Sequence, residues 1–286
     1  IDSPYKLYTT KKGQWSAYQQ LFMGDNGENG ASVEAIFPIL QDGLKTTSYG
    51  TTLYLMAGSN DNSEHIKSAT VKGNNTTGGW AGNRMRPDLV LKFFPNNDAP
   101  NVAAYAMPAA ADDDRALFDG EGRNVSNGDD EKSVKVFTNG FSVCKFNNFK
   151  TDGTAGHNAL FPDADFFLMR AAEAYLMYAE ADARQNNGTT TAQGTAYINA
   201  LRTRANATTQ TAYSLRQICD EWSREFYFEG LRRTTLIRFG YFGGNVNYNW
   251  SWKGGVKSGR NFDSHLNLFP IPTSDMVANG NLIQNT

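Results

Sequence analysis

The chain has 286 residues, with 27 Lys plus Arg against 29 Asp plus Glu and a formal net charge of -2. That balance excludes a nucleic-acid binder, which needs a basic surface to displace counterions, and no apolar run approaches the ~18 residues of a membrane span. Two cysteines and three widely spaced histidines exclude a disulfide-dense scaffold and show no metal-ligand spacing, so neither metal nor other cofactor is expected and the thiols are expected free.

Asn occurs 28 times and Gly 27, beside 13% aromatics, which points to long ordered loops carrying amide groups and flat apolar rings. Residues 1–160 read as irregular. A helix is expected at 14–23, with Trp15, Tyr18 and Phe22 on one face. Short apolar runs follow at 33–40, 53–56, 89–94 and 134–137, separated by Gly/Asn/Thr stretches that favour loops, short strands or single helices. The acidic run Asp112, Asp113, Asp114 lacks the spacing and closing Glu of an EF-hand and reads as a solvated loop.

From residue 163 the pattern changes. Asp163 is placed to cap a helix running to about residue 184, apolar nearly all round and so expected to be buried on several sides. A second helix is expected at 192–205, making a helical hairpin with the first. A third starts at Ser214, where Ser214 and Gln217 form a capping box, buries Leu215, Ile218 and Trp222, and stops at Gly230. A fourth spans 232–239 and ends at Gly240. Glu225 and Glu229 share one face at i,i+4 and have the look of an acid–base pair. With Arg near by both should stay ionised, so a structural ion-pair network is the stronger reading. No nucleophile elbow, zinc-protease or P-loop motif is present.

The stretches 168–181, 198–205, 225–233, 236–240, 268–272 and 281–285 resemble, in that order, the C-terminal part of the SusD/RagB family. Looser similarity covers 34–39 and 79–90. The resemblance implies a mainly α fold: a tetratricopeptide-like helical-hairpin scaffold at 161–286, continuous with an irregular loop-rich lobe at 1–160 that contains short strands. It also implies a non-catalytic lipoprotein at the surface of the outer membrane. Such a protein binds glycan or another nutrient and delivers it to a SusC-like TonB-dependent transporter. The membrane link is expected only through an N-terminal lipid anchor, and the residues of one are not in this sequence, which opens Ile1-Asp2-Ser3-Pro4. The family is usually far longer, so a truncated or cleaved molecule is expected.

Sugars present a C–H ring face to aromatic groups and a hydroxyl rim to amides and guanidinium groups. On that chemistry the expected ligand-binding residues are Trp80 with Asn83 and Arg84, then Tyr49 and Tyr54, then Trp15, which by its helical face leans towards the core. Trp250 and Trp252, two apart, would share a face in an extended segment, and packing or a partner contact is their expected use. The alternatives are a helical-repeat interaction module that binds no small ligand, and a glycoside hydrolase built on Glu225 and Glu229.

Overall fold

The computed structural model describes residues 3–47, 83–124, 136, 139–158 and 161–285. Tyr49, Tyr54 and Trp80, and the apolar run at 53–56, lie outside the described residues, as does all of the run at 134–137 except residue 136. The fold is mainly α with short strands, and it divides into two compact units, Ile1–Glu229 and Gly230–Thr286. No described helix is long and apolar enough to cross a membrane.

In the first unit the helix expected at 14–23 closes only at Ala17–Gln20 (α1), because the chain enters it through a Ser16/Gln19 capping box. The three rings read onto one face are all buried. Ala35–Ile39 (β1) follows a single 3-10 turn at Ala31–Glu34. The run at 89–94 begins in a short helix, Pro87–Val90 (α2), with Pro at its N-terminal end, and Met107–Ala111 (α3) comes next. Phe118–Asp119 (β2) pairs antiparallel with Ser142–Val143 (β3).

The helix expected from Asp163 is corrected by the structure. Phe166–Arg170 (β4) is a strand, paired antiparallel with β1 in the register Ala35↔Arg170 and Phe37↔Met169. The helix Ala171–Gln185 (α4) starts only after it. Asp163 accepts from the His157 backbone N–H at 2.8 Å instead of capping. A continuous apolar run has the same local pattern as a buried helix, so only the partner strand decides. The α4 helix buries one stripe, Ala171, Ala172, Leu176, Ala179 and Ala183, while Met177 and Tyr178 are 49% and 44% exposed. The expectation of burial on several sides therefore fails for this helix among the described residues.

Ala192–Arg204 (α5) forms the expected hairpin with α4, and Leu215–Phe226 (α6) packs on α4 with its Ser214/Gln217 capping box in place. The third helix ends at Phe226, short of Gly230. Tyr227 turns extended at ψ 141° and Phe228 takes φ +58°, which releases Glu229 from the helix surface. Two apolar clusters also lie in this unit. One gathers Tyr18, Leu21, Phe22, Phe146 and Phe167, and the other Met85, Phe93, Phe118, Phe141 and Tyr227.

In the second unit, Arg232–Arg238 (α7) ends before Gly240, at φ +71°, much as expected. Tyr241 and Tyr248 stack at 4.6 Å and 2°, and Arg232 Nη2 donates to the Tyr248 hydroxyl at 2.6 Å. Buried Lys253 donates to the Tyr248 carbonyl at 2.8 Å and lies 4.7 Å from the Trp250 ring centroid. Trp250 also stacks on Phe242, and Trp252 sits at φ +67° before a 3-10 turn. The segment is thus turned, so the alternation that would put both rings on one face is absent. Further on, Gln284 bridges both backbone groups of Ile271, accepting at 2.8 Å and donating at 2.9 Å, beyond the short helix Thr273–Ala278 (α8).

Candidate binding surface and a buried ion network

The first unit is built around charge. Arg170 ends β4 with extended dihedrals, so its side chain drops inward. Its Nη1 donates to Glu34 Oε1 at 2.9 Å and Glu225 Oε1 at 2.6 Å, while Nε and Nη2 grip both oxygens of Glu229 at 2.8 and 2.9 Å. Arg204 joins Glu34 and Glu225, and Arg115 joins Asp113, Glu221 and Glu225. Lys145 Nζ donates to Glu229 at 2.6 Å and to the Tyr227 carbonyl at 2.8 Å. Arg202 and Arg224 join on Glu221, giving six cations on five carboxylates among the described residues. Such a core is tolerable only because every charged group in it is hydrogen-bonded to an opposite charge, with Arg204 Nε the atom of the set left without a partner among the described residues. Aromatic faces complete the enclosure, with Arg170 4.0 Å from the Phe226 centroid and Lys145 4.4 Å from that of Tyr227.

The titration behaviour follows. Burial alone would raise Glu221, but the guanidinium groups of Arg115, Arg224 and Arg202 outweigh it and hold its carboxyl at about 2. Burial is likewise outweighed at Glu225, by Arg204, Arg170 and Arg115, and its carboxyl lies well below the usual carboxylate range. Desolvation brings the Lys145 ammonium down to about 8. Glu225 has no exposed surface and Glu229 is 8% exposed, both locked by Arg170. Both carboxylates are buried and committed to Arg170, so neither is placed to reach a glycosidic bond, and the hydrolase reading built on them does not hold. The network reading does hold, and it reaches into the loop-rich region through Glu34, Asp113, Arg115 and Lys145. The solvated-loop reading of 112–114 is corrected accordingly. Asp113 is buried because Arg115 clasps it through Nε and Nη2, at 2.9 and 2.8 Å.

The expected binding residues separate on the structure. Trp15 is 3% exposed, bridges to Lys12 and donates its indole N–H to the Thr151 carbonyl at 2.9 Å, so its ring presents no open face. Asn83 and Arg84 are half-buried and lead into the bridge Met85↔Phe141, where Met85 N–H donates to Phe141 O at 2.8 Å. Arg84 donates to the Val136 carbonyl. Burial, and then the charges of Arg123 and Arg86, lower the pKa of the Arg84 guanidinium, which marks these three arginines as neighbours. Arg123 Nη1 donates to the Gly140 carbonyl at 3.4 Å, and Gly140 N–H donates to Asn124 O at 2.9 Å beside the Asn124↔Asn139 bridge.

Gly140 is required at this junction. It sits at φ +99°, and a Cβ there would lie 2.8 Å from the Met85 carbonyl oxygen. The result is a surface of guanidinium and amide groups, Arg84, Arg86, Asn124 and Asn139, carried on β-bridges next to the second apolar cluster, while Arg123 is buried and pairs with Asp119 at 3.8 Å. That chemistry suits a hydroxyl rim. Sequence reading found Asn83 and Arg84 but missed Asn124 and Asn139, whose only local signal is the Asn139-Gly140 turn pair.

Comparison with known proteins agrees with this fold. The SusD family model matches residues 114–286. The starch-binding protein SusD of Bacteroides thetaiotaomicron is 39% identical over 317 residues, covering 100% of this chain and 53% of the relative. The chain therefore spans about half the length of the curated relative it matches. Among solved structures, surface glycan-binding protein A of Bacteroides thetaiotaomicron in complex with laminarihexaose superposes with a TM-score of 0.58 at 20% identity, over 99% of this chain and 56% of that one. A SusD-like protein of Bacteroides fragilis gives a TM-score of 0.60 at 16% identity, over 98% of this chain and 58% of that one. These two likenesses are of fold. With the family match over most of its length and a relative at 39% identity along all of it, the chain belongs to the SusD family.

Proposed function

We propose that this chain is the C-terminal part of a non-catalytic, surface-exposed outer-membrane lipoprotein. It captures glycan and passes it to a SusC-like TonB-dependent transporter. The observation that carries the reading is the match, along the whole of this chain, to a relative named for starch binding. Two features of the structure favour it. The acid pair that could have cut a glycosidic bond is sealed inside an ion network, and amides and guanidinium groups gather around Arg84. In this reading the loop-rich region 1–160 supplies the ligand lobe, and Trp80, Tyr49 and Tyr54 supply the ring faces. Asn83 and Arg84 then meet the hydroxyl rim. An individually weak contact suffices, because many copies on one surface add avidity.

Affinity electrophoresis in gels cast with starch, laminarin or pectin tests this. The wild-type protein should be retarded by at least one polysaccharide, and Trp80→Ala should reduce the retardation. Unretarded migration in every gel would remove the reading.

A further inference from the structure

A cleft of about 670 Å³ opens on the first unit, lined by none of the residues of the surface around Arg84. Its volume is in the range of small-ligand sites. The walls come from three parts of the chain: the N-terminal segment with Lys6 and Lys11, Asp114, and the α4–α5 hairpin with Tyr175, Thr203 and Asn206.

Each wall offers a distinct chemistry. Tyr175 is half-buried, and its ring meets Tyr197 edge-to-face at 5.0 Å and 78°, which fixes its orientation. Asn206 is exposed and held at φ +53°, with its Nδ2 donating to Asp114 Oδ2 at 2.6 Å. Asp114 N–H in turn donates to the Ala205 carbonyl at 2.8 Å, which ties the loop to the end of α5. Lys6 and Lys11 are exposed, and neither ammonium makes a hydrogen bond or an ion pair among the described residues. By contrast, Arg204 beneath the cleft is neutralised by Glu34 and Glu225. Lys11 acts on Asp114 through its charge, so two cations against one carboxylate leave the cleft with one net positive charge.

We infer that this cleft is a second ligand site, and that it takes an acidic oligosaccharide, a chain of pyranose rings bearing carboxylates. Tyr175 stacks on a ring face, Lys6 and Lys11 pair with carboxylates, and Thr203 and Asn206 meet hydroxyls. The inference rests on the glycan-binding reading and adds a ligand class to it. A neutral glycan would gain only hydrogen bonds from the two ammonium groups and leave their charge unpaired, and a compact inorganic anion would leave the ring face unused.

Calorimetric titration of the protein with trigalacturonate and with maltotriose tests it. Trigalacturonate should bind, more weakly as salt is raised. The double substitution Lys6→Gln, Lys11→Gln should weaken it about tenfold, two exposed charge contacts together, and leave maltotriose unchanged. Both lysines are exposed, so this variant should fold as the wild type. Tyr175→Ala should weaken trigalacturonate as well. If maltotriose binds and trigalacturonate either fails to bind or ignores the lysine substitutions, the second site is overturned while the general reading stands. If neither sugar nor any polysaccharide binds, both fall together.

Discussion

Arg170 and Glu34 are 136 residues apart in sequence, yet their side chains meet at 2.9 Å with no exposed surface on either. The bond ties the end of β4 to the turn before β1. The same guanidinium also holds Glu225 and Glu229 from the C-terminal end of α6 and just beyond it. One buried fork thus joins the loop-rich region to the helical hairpins.

Removing that fork should be severe. Arg170→Ala leaves three carboxylates facing an emptied space, and breaking a buried pair typically costs about 3–5 kcal/mol. Urea denaturation should show a loss of that size. Arg170→Lys should recover only part of it, because a point charge cannot replace bidentate geometry.

Acid should attack the same network. Glu221 is held at about 2 against an ordinary 4.5, so its contribution is fully present above pH 4.5. The folded form is the weaker proton binder, and stability therefore falls as the pH drops from 4.5 towards about 2. The apparent Tm should decline across that window. Glu221→Gln should be less stable at neutral pH but decline less steeply.

Helix capping gives a smaller, local effect. Ser214 accepts from the Gln217 backbone N–H at 3.3 Å, and Gln217 Oε1 accepts from Ser214 N–H at 2.8 Å. Ser214→Ala should cost about 1 kcal/mol in chemical denaturation.

At the junction next to the candidate surface, Gly140→Ala asks an L side chain to take φ +99° and to push on the Met85 carbonyl. Destabilisation above about 1 kcal/mol is expected, and glycan retardation should weaken with it, because Asn83 and Arg84 lead directly into that bridge.

Much of the helical part was legible in the sequence because its signals are local. The Ser214/Gln217 box, the stop at Gly240 and the hairpin at 192–205 depend on neighbours within a few residues. The strand at Phe166–Arg170 was not legible, since an apolar run gains strand character only from its distant partner at Ala35–Ile39. The early end of α6 was equally hidden: Phe228 takes a left-handed conformation so that Glu229 can reach Arg170. Nothing in the local pattern announces that. For the binding surface, the chemistry of Arg84 could be read, but Asn124 and Asn139 join it through pairings across the fold. Trp15 is buried as its expected lean to the core implied, but through the Lys12 bridge and its bond to Thr151 and not through a helical face, since it precedes the N-cap Ser16.

The central claim is capture without cleavage. It is tested most directly by titrating the wild-type protein with malto- and laminari-oligosaccharides in a calorimeter and assaying reducing ends in the same samples. Saturable heat with at least one sugar and a constant number of reducing ends is the expected result. New reducing ends accumulating with time, or no heat with any oligosaccharide, would contradict it.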